Sequence, residues 1–168
     1  GTMAADEEWL LATVERYQGS LLTYVGRLLG QVDSARDVVQ ETFLKLCQQD
    51  RSEVEPRLAA WLFSVCRNHV RDLQRESRRM TAAEQALIDR QRGLEDEVAT
   101  AADGEVESVH ELLAELSEQQ QEVVRLKFLH ELSYKEISEV TGLSLGNVGY
   151  ILHHALVRLR KAAKEGGE

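Results

Sequence analysis

The chain has 168 residues, is 43% hydrophobic and carries a net charge of -9, so it holds enough apolar material for one ordinary domain or two small ones and is not a disordered polyelectrolyte. A single proline, Pro56, and long glycine-free stretches leave little punctuation for strands and hairpins, which points to an all-α protein. No apolar run approaches the roughly 18 residues of a membrane span, and Gly1-Thr2 ahead of Met3 resembles an expression remnant; a soluble, cytoplasmic protein is expected.

The first domain, residues 1–80, reads as helices over 6–18, 20–29 and 33–49 and a longer one over 55–79. In "DSARDVVQETFLKLCQQ" a step of about 100° per residue gathers Ala35, Val38, Val39, Thr42, Phe43 and Leu46 on one side. Asp37, Gln40, Glu41, Leu44 and Gln48 fall on the other. A leucine among short polar residues on an outer face suggests a protein contact, against the plainer reading of a solvated face. Cys47 and Cys66 lie on helical patterns without CxxC spacing and are expected to be buried, reduced thiols.

The fourth helix, "PRLAAWLFSVCRNHVRDLQRESRR", opens with proline near its first turn. Leu58, Leu62, Val65, His69 and Leu73 form the expected apolar stripe, with His69 read as a satisfied core histidine. Arg67, Arg71, Arg75 and Arg78 rise together on the far side, with Gln74 among them and Asn68 at the edge. That ridge is about 16 Å long at 1.5 Å per residue. Asp72 and Glu76 fall largely off it. Guanidiniums along one line suit phosphates, and Trp61 and Phe63 nearby would stack on an unpaired base.

Residues 81–116 contain 2 basic and 10 acidic residues, a net of -8, whereas the segments before and after sum to -1 and 0. The charge of the protein therefore sits in a stretch with weak periodicity, which reads as an acidic linker.

The second domain, residues 117–168, shows helices near 118–129, 133–140 and 145–163. Ser117 with Gln120 and Ser133 with Glu136 are capping boxes, and Ser144 is the expected cap of the last helix. Ile137, Ser138, Gly142, Leu143 and Val148 stand where a helix-turn-helix needs apolar contacts, a small residue and a left-handed glycine. On the last helix Val148, Leu152, Ala155 and Leu159 point inward, while Asn147, Tyr150, His154, Arg158 and Lys161 face out. Asparagine pairs with adenine in the major groove, and a helix N-terminus accepts a phosphate. His153-His154 has no acid or cysteine at ligand spacing, so a metal reading gives way to a structural or DNA-facing one.

The order "ARDVVQETFLKL", "WLFSVCRNHVRD", an acidic spacer and "LSEQQQEVVRLKFLHELSYKEISEVTGLSLGNVG" resembles the extracytoplasmic-function sigma factors, the two-domain promoter-recognition subunits of bacterial RNA polymerase. The resemblance implies core RNA polymerase and promoter DNA as partners, an anti-sigma factor as a further one, no cofactor and no catalytic residue. It places Asp37, Gln40, Glu41 and Leu44, with Gln48 beside them, on the contact with the polymerase clamp. Arg67, Asn68, Arg71, Asp72 and Arg75, with Trp61, Gln74 and Arg78, fall on the helix that melts and reads the minus-ten element, with the loop Asp50 to Glu55 as pocket for a flipped base. Asn147, Tyr150 and His154, with Ser144, Arg158 and Lys161, fall on the helix that reads the minus-35 duplex. The linker would thread polymerase channels that otherwise carry nucleic acid. One departure stands out: Gly149, Ile151, His154 and Leu156 occupy positions where the family commonly has Lys or Arg. A free-standing helix-turn-helix repressor acting as a homodimer would use the same last helices but leave the clamp-like face without purpose. A helical adaptor that binds only proteins would not explain the arginines. An enzyme lacks a nucleophile with its base, a phosphate-cradling glycine loop and a metal cluster.

Overall fold

The computed structural model describes residues 2–30, 32–79, 84, 86–87 and 111–166, and every regular element among them is helical. The chain divides into two compact units, Gly1–Ala99 and Thr100–Glu168. Most of the expected acidic linker lies outside the described residues.

In the first unit, α1 (Thr2–Leu29) is one continuous helix rather than the two expected. Gly19 and Ser20 do not break it: Thr23 Oγ1 donates to the Gly19 carbonyl at 3.0 Å, and α1 packs against α2 (Val32–Cys47) and α4 (Leu58–Arg78). Packing of that extent outweighs the roughly 1 kcal/mol a mid-helix glycine costs. The segment expected as a loop from Asp50 to Glu55 is a short helix, α3 (Arg51–Val54), continued by a 3-10 turn over Glu55–Arg57. The Asp50 carboxylate accepts from the Ser52 N–H at 3.0 Å and starts the turn. Arg57, at φ -131° and ψ 32°, leaves helical geometry, so α4 begins at Leu58 rather than at Glu55.

The buried stripe of α4 is Ala60, Leu62, Phe63, Cys66 and Val70. This corrects the expected stripe: Leu58, Val65, His69 and Leu73 are only half-buried. The helix is turned so that Phe63 meets Tyr24 of α1 edge-on, with ring centroids 5.2 Å apart. Phe63 is therefore core and unavailable to stack on a base. Burying each such large apolar side chain contributes about 1.5–3 kcal/mol, and Leu21, Val25, Val38 and Leu46 complete this core. Thr42 of α2 is buried, donates to the Val38 carbonyl at 2.8 Å and lies 3.2 Å from the Cys66 sulfur. Burial pushes the Cys66 thiol up to about 11. Cys47, against expectation, is exposed.

In the second unit, α5 (Glu118–Val124) runs into a π-helical turn at Arg125–Leu129, with α6 (Tyr134–Thr141) and α7 (Leu145–Gly166) following. Ser117 and Ser133 form the two expected capping boxes, each worth about 1 kcal/mol. The Leu132 N–H bonds the Leu126 carbonyl at 3.0 Å, closing the turn around Glu131 at φ 58°. The ending puts glutamate in the left-handed position where glycine is usual, its closing bond one residue wider than in a Schellman motif because it follows the π turn. The core comprises Val123, Leu126, Leu132, Ile137, Val148, Leu152 and Ala155. Leu113 and Leu116, at the end of the expected linker, are also buried. Among the described residues no helix is long and apolar enough to cross a membrane.

Candidate nucleic-acid and protein interface

The outer face of α2 stands as the periodicity predicts. Asp37, Gln40, Glu41, Leu44 and Gln48 are all exposed, Leu44 at 55%. Gln40 and Leu44 also border an apolar groove between α1 and α2, lined further by Val14, Leu22, Phe43 and Cys47. The sequence reading put Phe43 in the core; it is half-buried and forms a wall of this groove. The missed signal is the spacing of Val14, Gln18 and Leu22, which places three residues on one stripe of α1 facing that wall.

On α4, Asn68, Arg71, Asp72, Gln74, Arg75 and Arg78 line one open depression, which brings together most of the expected ridge. Trp61 and Arg67 are half-buried and do not line it. Asp72, read as lying off the ridge, pairs with Arg75. The Gln74 amide donates to the Leu28 carbonyl at 3.4 Å, so it ties α4 to the end of α1 as well as lining the depression. Neutral amides and guanidiniums around a shallow trough suit a phosphodiester backbone, and the carboxylate of Asp72 orients one guanidinium at some loss of net charge.

A second groove, between α2 and α4, contains Glu41, Lys45, Asn68, His69, Asp72 and Glu76. The Nδ1 of His69 is buried there without a hydrogen-bond partner, which corrects the reading of His69 as a satisfied core histidine.

The turn expected to hold a flipped base is braced against the first helix. Arg51 of α3 bonds Glu55 at 3.2 Å, lies 3.7 Å from Asp6 and sits over the Trp9 ring at 5.2 Å from its centroid. Two carboxylates around one guanidinium make this brace structural in character.

In the second unit, α6 ends at Gly142, whose φ of 79° is left-handed and whose N–H bonds the Ser138 carbonyl. Thr141 Oγ1 accepts from the Leu143 N–H at 3.2 Å. Ser144 Oγ accepts from the Asn147 N–H at 3.1 Å and so opens α7 as expected. The result is a helix-turn-helix with α7 as its second helix. Ser144, Asn147, Tyr150, His154, Arg158 and Lys161 are all exposed, and Val148, Leu152 and Ala155 are buried as predicted, with Leu159 half-buried. Ile151 is 8% exposed, so this position turns toward the core. The Tyr150 and His154 rings meet at a tilt with centroids 4.1 Å apart, and Arg158 Nη1 donates to Gln120 Oε1 of α5 at 3.2 Å. His130, beyond the π turn, is held down to about 4 by burial and by the neighbouring Arg125. Among the described residues no group of His, Cys, Asp and Glu could hold a metal ion.

These features define a helical protein of two units, the first with an arginine-lined trough and an apolar groove, the second a helix-turn-helix. The model of Sigma-70 region 2 matches residues 13–80, and that of Sigma-70 region 4 matches residues 107–159. The chain is 29% identical over 171 residues to the ECF RNA polymerase sigma factor SigL of Mycobacterium tuberculosis, covering 99% of this chain and 96% of that protein. It is 30% identical over 140 residues to the ECF RNA polymerase sigma factor SigM of Bacillus subtilis, covering 79% and 81%, and 28% identical over 153 residues to the RNA polymerase sigma factor YlaC of the same organism, covering 87% of each. The chain belongs to the extracytoplasmic-function sigma factors.

Proposed function

We propose that this chain directs core RNA polymerase to specific promoters, with residues 1–80 gripping the enzyme and opening the minus-ten element, 81–116 linking, and 117–168 reading the minus-35 duplex. The observation that carries the reading is the pairing, in one chain and in this order, of an arginine-lined trough on the region 2 unit with a helix-turn-helix on the region 4 unit. The exposed face of Asp37, Gln40, Glu41, Leu44 and Gln48 is the polymerase contact. Arg71, Arg75 and Arg78, with Asn68, Asp72 and Gln74 among them, hold the backbone of the opened strand, with Trp61 and Arg67 next to the trough. Ser144, Asn147, Tyr150 and His154 face the edges of the duplex bases, with Arg158 and Lys161 toward its phosphates. Polymerase supplies the chemistry, so this chain needs no catalytic residue of its own. The work takes place in the cytoplasm, where an anti-sigma factor would hold the chain inactive. A homodimeric repressor would have no use for the region 2 unit.

The test is a titration of promoter duplex with free protein and with holoenzyme reconstituted from core polymerase, at several salt concentrations. Each neutralised phosphate adds about 0.9 to the salt slope, and Arg158 and Lys161 supply few such contacts. Free protein is expected to bind weakly with a shallow slope, and only holoenzyme to discriminate the correct promoter. Tight, sequence-specific binding by the free protein as a dimer would overturn the reading.

A further inference from the structure

From Leu145 to Val157, helix α7 contains no lysine or arginine. The first cation after that stretch, Arg158, donates to the Gln120 Oε1 that also accepts the Ser117 N–H at 3.1 Å, so it is held toward the start of α5. The commonest device for reading guanine, a guanidinium aimed at O6 and N7, is therefore missing from residues 145–157 of this helix. A pair of rings in tilted contact stands there instead. Tyr150 is 63% exposed, and its ring lies 4.1 Å from that of His154 with the planes inclined at 51°. His153 adds a ring edge-on to His154 at 5.3 Å. Asn147 lies on the same face, almost one turn before Tyr150. Gly146 leaves the neighbouring surface bare, since a Cβ built there would meet nothing within 4 Å.

Two rings that already hold each other lose less rotamer freedom on docking than two independent side chains. Their chemistry is complementary as well. An imidazole N–H donates to purine N7, which adenine and guanine share, and a phenol ring offers an apolar surface to the thymine methyl. We propose that Tyr150 and His154 form one preassembled reading unit that selects a purine next to a thymine in the minus-35 duplex, an inference that rests on α7 being the duplex-reading helix.

The experiment uses the full chain reconstituted with core RNA polymerase on a promoter library randomised across the minus-35 element, with enrichment scored by transcript yield. Tyr150→Ala and His154→Ala are each expected to lose about tenfold of preference, equivalent to about 1.4 kcal/mol, at the same two adjacent base pairs. The double variant should lose no more than the worse single one, as coupled residues do. Tyr150→Phe should keep the thymine preference, His154→Arg should narrow the purine position to guanine, and Asn147→Ala should act at a different position. Additive losses at separate positions, or no loss from the pair while Asn147→Ala does lose preference, would overturn the paired unit and leave α7 as the reading helix. Unchanged preference in all of these variants, Asn147→Ala included, would overturn both.

Discussion

In the first unit the surface proposed for DNA is a trough of arginines on a long helix buried along one side by two others, whereas in the second it is a ring-bearing face on a helix entered through a tight turn. Residues 1–80 sum to -1 and residues 117–168 to 0, so net charge does not separate the two surfaces; the placement of charge does. Guanidiniums in a row hold a phosphate backbone whatever its sequence, and amide, phenol and imidazole groups read base edges while adding little affinity. The proposed function thus divides holding and reading between the units, with polymerase contributing the remaining phosphate contacts.

That division is most sharply tested on α2. Leu44→Arg combined with Gln40→Ala is expected to reduce recovery of core polymerase in a pull-down to background, with helical content and melting temperature unchanged because both side chains are exposed. Undiminished recovery would remove the protein contact from the first unit. Next in size, Arg71→Ala and Arg75→Ala should each lower open-complex formation on duplex promoters, together by about tenfold or more. Arg71→Ala should be the larger, since Arg75 already has Asp72 as a partner. Supplying the minus-ten region mismatched should recover much of the loss; if it recovers nothing, the trough does not serve opened DNA. The smallest effect concerns the turns of the second unit. Gly142→Ala at φ 79° meets no neighbouring atom, so it should cost only backbone strain, about 1 kcal/mol, read as a melting shift of a few degrees. Glu131→Gly at φ 58° should shift melting the other way by a similar or smaller amount. A drop in melting temperature for Glu131→Gly would show that the glutamate side chain, rather than the backbone, sets that ending.

The second unit was more legible in the sequence than the first because its boundaries are set locally. Ser117, Ser133 and Ser144 each cap through their own side chains, and Gly142 ends α6 through its own backbone, so reading neighbours is enough to place α6 and α7. The first unit draws its boundaries from packing. Gly19 looks like a break and is not one, and the α4 stripe turns from Leu58-Val65-His69 to Phe63-Cys66-Val70 because Tyr24 and Thr42 wait there on other helices. Exposure on α2 and α7 follows periodicity, so the expected outer faces were recovered. The pairing of Arg75 with Asp72, the tie from Arg158 to Gln120 and the contact of Tyr150 with His154 depend on rotamers, which periodicity does not specify. Glu131 in a left-handed conformation gave no warning, since glycine is the residue that normally marks it.

The contrast between the two cysteines makes the native chain its own reporter. Cys66 is sealed in the core with its thiol pushed up to about 11, while Cys47 lies exposed at the edge of the groove that Leu44 borders. A maleimide dye applied at neutral pH would therefore settle on one position without any cysteine having to be removed, next to Gln48 of the face assigned to polymerase. Fluorescence from that single label would follow docking in real time, and a quenched or shifted emission would record the arrival of the enzyme before any promoter is opened.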